Sequence, residues 1–101
     1  MSKTSFGELI NSSTPVIMDF YADWCGPCRI QGPILEKLKA EMGDAVKVVK
    51  IDVDKNPGIA QKLQIMGIPT LMIFQNGKTI WRASGVQQIP VIKQQLAALA
   101  E

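Results

Sequence analysis

The sequence contains no histidine, which removes imidazole as a general base, as a metal ligand and as the partner of a cysteine nucleophile. Its eleven Lys and Arg residues form no run and the net charge is only +2, so nothing indicates binding to nucleic acid. No apolar run reaches the length of about 20 residues that crosses a bilayer. The N-terminal MSKTSFGELI lacks the apolar core of a signal peptide. We therefore expect no membrane partner and a cytoplasmic location, where thiols are mostly reduced.

The pattern of apolar and turn residues predicts an α/β fold. No linker or repeat divides the 101 residues, so we expect a single domain over 1–101. Strand-like runs lie at 16–22, 46–53, 70–74 and 78–83, and helical spacing lies at 4–11, 25–42, 56–63 and 90–100. Strands that are separated by a helix should be parallel, and an Asn-Gly turn at 76–77 predicts an antiparallel hairpin. The result is a mixed four-stranded sheet flanked by helices.

The second helix should bury one apolar stripe, and a proline should mark its first turn. Ile30, Ile34, Leu35, Leu38 and Met42 recur at helical spacing and form the predicted stripe. Proline suits the first turn of a helix, where its missing N–H costs nothing, and WCGPC provides one there. A further proline inside the pattern predicts a kink.

The only two cysteines, Cys25 and Cys28, lie three positions apart in WCGPC. A structural disulfide there would close a very short loop and stabilise the fold less than a bond between distant residues. A closed zinc site needs four ligands, so it would require two chains to share their thiols. Two inert buried thiols are a further alternative, since free cysteine often packs as a small apolar residue.

A redox role explains the spacing better than these alternatives. The unpaired N–H groups and the dipole of a helix N-terminus stabilise a thiolate, which lowers the pKa of the first cysteine. One helical turn brings Cys28 close enough to form a disulfide with Cys25. We therefore expect Cys25 to attack a disulfide and Cys28 to resolve the intermediate. A CxxC motif between a strand and a helix of an α/β pattern is typical of dithiol oxidoreductases.

Longer segments resemble the thioredoxin family. They are DFYADWCGPC at 19–28, KIDVDKNPG at 50–58, GIPT at 67–70 and NGK at 76–78, together with Pro33 and Gly85. WCGPC followed by IPT is a specific combination, and the resemblance extends over nearly the whole chain. It implies the three-layer thioredoxin fold and a protein-disulfide reductase that needs no cofactor or metal of its own. It also implies thioredoxin reductase, a flavoprotein, as the electron donor.

Asp19 lies in the middle of an apolar strand, where a lone carboxylate is costly to bury. It could form a partly buried ion pair with Lys50 of the neighbouring strand. It could also act as a general base for Cys28, because burial would raise its pKa into a useful range. The family resemblance places Asp19 beneath the dithiol in that second role, with Lys50 pointing inward to tune it.

The resemblance also implies a surface that docks client proteins. It implies that the Ile68–Pro69 bond is cis, that Pro69 packs against the disulfide, and that the backbone of Ile68 pairs with an extended client segment. An apolar patch beside the thiols would consist of Trp24, Gly26, Pro27, Ile68, Gly85 and Val86. Backbone pairing and a flat apolar surface demand little of a client's side chains, so we expect disulfide-containing proteins of many sequences as clients.

The sequence departs from the family at three places. The first strand typical of thioredoxins should be missing or vestigial, which would leave strand 46–53 at a sheet edge. Gln31 stands where the family more often has an apolar residue, and it could either face solvent or alter the groove beside the dithiol. Tyr21 stands where many relatives have tryptophan, and it adds a hydroxyl near the site.

The resemblance favours a general disulfide reductase that is a monomer. A dedicated donor to one client remains an alternative that depends on surface shape. An oxidase or isomerase is less favoured, because such relatives carry other residues between the cysteines and work in exported compartments. A binding subunit that uses the same apolar patch without redox chemistry is an alternative of a different class.

Overall fold

The computed structural model describes residues 5–99, which form four helices, four strands and one short 3₁₀ turn. The helices are α1 (Phe6–Ile10), α2 (Gly26–Met42), α3 (Pro57–Lys62) and α4 (Ile89–Ala98), and the 3₁₀ turn is Gly43–Ala45. The strands are β1 (Val16–Tyr21), β2 (Lys47–Asp52), β3 (Thr70–Gln75) and β4 (Lys78–Ser84). None of the helices within 5–99 is long and apolar enough to span a bilayer.

The four strands form one mixed sheet in the order β2-β1-β3-β4. β1 and β2 are parallel and are joined by α2, whereas β3 is antiparallel to both β1 and β4. The β3–β4 turn contains Asn76 and Gly77, both with positive φ, as a tight hairpin requires. The predicted mixed four-stranded sheet is confirmed, and β2 is an outer strand of the described part. The predicted loss of a first strand concerns residues 1–4, which lie outside the described residues.

Helices cover both faces of the sheet, and β1 is therefore buried on both sides. Ile17 packs in a core with Leu35 and Leu38 of α2 and with residues of α4. Val16, Met18 and Phe20 face the opposite way and pack against residues of α1 and α3. Since successive strand residues alternate between faces, Asp19 and Tyr21 lie with Ile17 on the α2 side. The sheet thus directs Asp19 towards the helix that carries the cysteines.

The buried face of α2 only partly matches the predicted stripe: Leu35 and Leu38 are buried, whereas Ile34 and Met42 are half-buried. Its buried residues are Cys28, Gln31, Leu35 and Leu38, which recur at helical spacing. Ile30, which we predicted to be buried, is 58% exposed, and Gln31 takes the inward position instead. Of the two possibilities left open for Gln31, exposure to solvent is therefore wrong. Pro33 lies inside α2, which continues as a single helix to Met42.

Candidate active site

The two cysteines lie where β1 gives way to α2. After Ala22 the chain turns, and the amide of Cys25 donates a hydrogen bond of 3.1 Å to the Ala22 carbonyl. Cys25 then occupies the N-cap of α2, and its Sγ accepts the N–H of Cys28 at 3.2 Å. The two residues form a disulfide with a Cα–Cα distance of 5.3 Å, and both are almost completely buried. Pro27 lies in the first turn, where no hydrogen bond is lost.

This position suits Cys25 to carry a negative charge when the disulfide is reduced. The free N–H groups of a helix N-terminus and the helix dipole both favour an anion at the cap. A sulfur that already accepts an N–H can keep that hydrogen bond as a thiolate, and hydrogen bonding to the charged form lowers a pKa. The local geometry therefore supports Cys25, rather than Cys28, as the nucleophile.

Two further segments approach the disulfide. The Sγ of Cys25 lies 3.7 Å from the carbonyl oxygen of Ile68, in the loop that precedes β3. The Ile68–Pro69 bond is cis, as the resemblance implied. The carbonyl of Pro69 accepts a hydrogen bond of 2.9 Å from the amide of Gly85, at the end of β4. The cysteine turn, the Pro69 loop and the Gly85 loop therefore meet on one side of the sheet.

The surface around the disulfide exposes apolar and small residues. Trp24 is 70% exposed, and its indole N–H donates a hydrogen bond of 2.8 Å to the carboxylate of Asp54. The other residues predicted for client docking are either exposed or half-buried: Gly26, Pro27 and Gly85 belong to the first group, and Ile68 and Val86 to the second. The contact with Asp54 holds the indole beside the cysteines, and sequence reasoning missed it. The place of Asp54 just after β2, level with the site, was the only available signal.

Asp19 is fully buried in β1, between Lys50 of β2 and Leu71 of β3. Within residues 5–99, no group donates a hydrogen bond to either of its carboxylate oxygens. Burial in this apolar environment raises the pKa of Asp19 from 3.8 to about 6, and the positive charge of Lys50 opposes part of that rise. The carboxyl group can therefore exchange a proton near neutral pH.

Lys50 occupies a different position from the one we predicted. Its side chain lies on the α2 side of the sheet but is exposed, and its Nζ stands 4.6 Å from the centre of the Tyr21 ring. Lys50, Tyr21 and Cys28 line one open groove of about 290 Å³. In the described part of the chain, no ion pair joins the ammonium to the Asp19 carboxylate. The expected inward direction of Lys50 is thus wrong, because the long side chain reaches the solvated groove. The alternative of a partly buried ion pair is not formed, and Lys50 acts on Asp19 through its charge alone.

The fold and the site together define a class of protein. A cysteine pair one helical turn apart caps a helix that follows a buried strand, with a proton-exchanging carboxyl in that strand and apolar residues exposed around it. This is the arrangement of a dithiol–disulfide oxidoreductase.

Comparison with known proteins supports the same class. The family model described as Thioredoxin matches residues 1–98, so the chain belongs to the thioredoxin family. A thioredoxin-like protein of Synechocystis sp. is 46% identical over 93 residues, which cover 91% of this chain and 89% of that protein. A bifunctional thioredoxin reductase/thioredoxin of Mycobacterium leprae is 40% identical over 82 residues, which cover 81% of this chain and 18% of that protein.

The structural comparison gives the same result. The crystal structure of the Malassezia sympodialis thioredoxin superposes with a TM-score of 0.83 at 33% identity, covering 95% of this chain and 84% of that one. The predicted thioredoxin fold is confirmed. The activity of the chain is protein-disulfide oxidoreduction by thiol–disulfide exchange through Cys25 and Cys28.

Proposed function

We propose that this protein works as a general disulfide reductase, which passes two electrons from its dithiol to disulfides of client proteins. The observation that carries the proposal is the capping of α2 by the Sγ of Cys25, which accepts the N–H of Cys28. This arrangement lowers the pKa of the Cys25 thiol, and the resulting thiolate is the nucleophile that the exchange with a client disulfide requires. The chain would act as one domain and as a monomer, in a reducing compartment such as the cytoplasm.

The reaction would proceed in two exchanges. The Cys25 thiolate attacks one sulfur of the client disulfide, a Cys25–client bond forms, and the other client sulfur leaves as a thiolate that takes up a proton. Cys28 then loses its proton and attacks the Sγ of Cys25, the Cys25–Cys28 disulfide forms, and the second client sulfur leaves as a thiolate that also takes up a proton. The client gains two electrons and two protons, and the dithiol of the protein is oxidised.

Asp19 would act in the second exchange as the base that removes the proton of Cys28. Its pKa of about 6 leaves it mostly ionised at neutral pH, and it lies on the sheet face that α2 covers. Lys50 would tune this group from the groove that it shares with Cys28, since its charge favours the carboxylate. No metal or cofactor of the protein's own is needed for either exchange.

Client proteins would dock as extended segments beside the disulfide. The strand pairing of β3 begins at Thr70, so the backbone of Ile68 lies outside the sheet ladder and close to the Sγ of Cys25. A client segment could pair with that backbone across Pro69 and rest on the exposed apolar patch. The patch consists of Trp24, Gly26, Pro27, Ile68, Gly85 and Val86.

A separate reductase must regenerate the dithiol, and we propose thioredoxin reductase. The family resemblance implies this donor, and the relative from Mycobacterium leprae carries both names in one polypeptide. Reduction of the oxidised protein by a thioredoxin reductase with NADPH would test the assignment. A rate no higher than that with a Cys25→Ser variant would contradict it.

The reduction potential of the Cys25–Cys28 couple tests the direction of electron flow. We expect equilibration against glutathione and dithiothreitol to give a value at or below the cytosolic glutathione poise. A clearly more oxidising value would instead indicate an oxidase. A variant with both cysteines replaced by serine should lose all activity towards clients, whereas a binding subunit would keep its function.

A further inference from the structure

Gln31 is the one fully buried amide side chain in the described part of α2. It lies one turn after Cys28 in the stripe that continues with Leu35 and Leu38. A buried carboxamide is costly unless its donor and its acceptor are both paired, so a leucine would serve the packing of this position equally well. The hydrogen-bond partners of Gln31 must therefore explain why a glutamine is buried here.

Both partners of Gln31 are backbone groups of one residue, Gln87. The amide N–H of Gln87 donates to Oε1 of Gln31 at 2.7 Å, and Nε2 of Gln31 donates to the Gln87 carbonyl at 3.1 Å. The side chain thus pairs with the backbone as a neighbouring strand would. It fixes Gln87 both in distance and in orientation relative to α2.

Gln87 belongs to the loop between β4 and α4, together with Gly85 and Val86. The side chain of Gln87 folds back and donates to the carbonyls of Ser84 and Gly85, each at 3.2 Å. The amide of Gly85 in turn donates to the carbonyl of Pro69. Hydrogen bonds therefore connect the Pro69 loop, through the Gly85 loop, to Gln31 of α2, one helical turn after Cys28.

We propose that Gln31 is a positioning residue, which holds the Gly85–Gln87 loop at a fixed distance from the dithiol and thereby sets the affinity for extended polypeptide clients. The inference rests on the proposed function, because this loop forms one wall of the proposed docking surface. Client segments that pair with Ile68 must lie between that backbone and the loop. A small disulfide reaches Cys25 without touching the loop, so Gln31 should matter only for protein clients.

Gln31→Met tests this, because methionine has a similar length and volume but can form neither hydrogen bond. We expect KM for insulin, a disulfide-bonded protein, to rise about fivefold, which is the loss of about one net hydrogen bond. The value of kcat should change little, since the docking contacts are made in the ground state too. The rate with hydroxyethyl disulfide and the equilibrium constant of the Cys25–Cys28 couple against glutathione should each stay within about twofold, because the substitution leaves the dithiol untouched.

Gln94→Met is a matched control on an exposed position of α4, and it should leave both substrates unaffected. An equal loss with insulin and with hydroxyethyl disulfide would overturn the inference, because it would show damage to the dithiol itself. Unchanged kinetics with both substrates would overturn it as well. If the unsubstituted protein fails to reduce insulin, the proposed function fails, and this result is distinct from either of the other two.

Hydrogen exchange of single amides provides a second test, and its decisive comparison needs only the unsubstituted protein. In the unsubstituted protein the amide of Gln87 should exchange more slowly than that of Gln88, which donates no hydrogen bond among the described residues. In Gln31→Met this protection should be lost while the amides of α2 keep theirs. Equal exchange of Gln87 and Gln88 in the unsubstituted protein would refute the positioning role.

Discussion

The burial of Asp19 should make the protein less stable as its carboxyl group ionises. The folded state raises the pKa of Asp19 from 3.8 to about 6, so the folded protein binds this proton more tightly than the unfolded chain does. Stability from this group is therefore complete below about pH 3.8 and is lost as the pH rises towards and through 6. At about 1.4 kcal/mol for each pH unit, the full loss is about 3 kcal/mol.

Asp19→Asn isolates this contribution, since asparagine has nearly the same shape but cannot ionise. We expect the free energy of unfolding of the variant, minus that of the unsubstituted protein, to grow by about 2.4 kcal/mol between about pH 4 and about pH 8. Urea unfolding of the two disulfide forms at a series of pH values measures this difference. At neutral pH the midpoint of the variant should be higher by about 1 to 3 M.

Taking the difference between two proteins cancels the titration of every other group that the substitution leaves unchanged. Asp44→Asn is a matched control for the loss of one carboxylate, because Asp44 lies exposed in the 3₁₀ turn, away from the sheet core. A flat difference for Asp19→Asn would refute the reasoning. It would show that, in the folded protein, water or a partner stabilises the Asp19 carboxylate as well as water does in the unfolded chain.

The remaining predictions concern the cysteines and the docking surface. Cys28→Ser should accumulate a mixed disulfide with a client, visible as a shifted band that dithiothreitol removes, and Cys25→Ser should form none; adducts in both variants would contradict the assigned order. Gly85 has a φ of +85°, and a Cβ added there would meet no other atom, so Gly85→Ala should lower the free energy of unfolding by about 1–2 kcal/mol through backbone strain alone. Gly58→Ala, in a helix, should cause no such loss, and equal effects of the two substitutions would exclude backbone strain as the cause. Because Trp24 is 70% exposed, Trp24→Ala should raise KM for insulin without shifting the unfolding midpoint, and an unchanged KM would remove it from the docking surface.

The order and type of the elements were predictable because local signals agree with the final packing. β1 and β3 are apolar along almost their whole length, as strands buried on both faces must be. Proline near the start of α2, α3 and α4 and the Asn-Gly turn at 76–77 mark where elements begin or reverse. The cysteine pair was equally clear, since two thiols one helical turn apart at a helix start can form a redox-active disulfide.

Contacts between side chains that are distant in sequence could not be predicted in the same way. Ranking residues by hydropathy put Ile30 inside α2 and left Gln31 undecided, but the periodic stripe of Cys28, Leu35 and Leu38 includes position 31. The partner that makes a buried glutamine acceptable lies 56 positions away, in an irregular loop. The position of Lys50 depends on how far a flexible side chain extends into a groove, which no sequence pattern encodes.

A carboxylate that costs stability must contribute to activity if the chain is to benefit from it, and the resolution of the mixed disulfide is where it would act. An ordinary cysteine thiol has a pKa of about 8.5, so a base is needed to turn it into a ready nucleophile at neutral pH. Asp19, with a pKa of about 6, can take the proton of the Cys28 thiol, whereas asparagine cannot. Asp19→Asn should therefore slow the second exchange by at least about tenfold and leave the first unchanged. Stopped-flow mixing of the reduced protein with a client should show the mixed disulfide accumulating in the variant. If it resolves at the same rate in both proteins, Asp19 is not the base for Cys28, and its burial must be explained by another role.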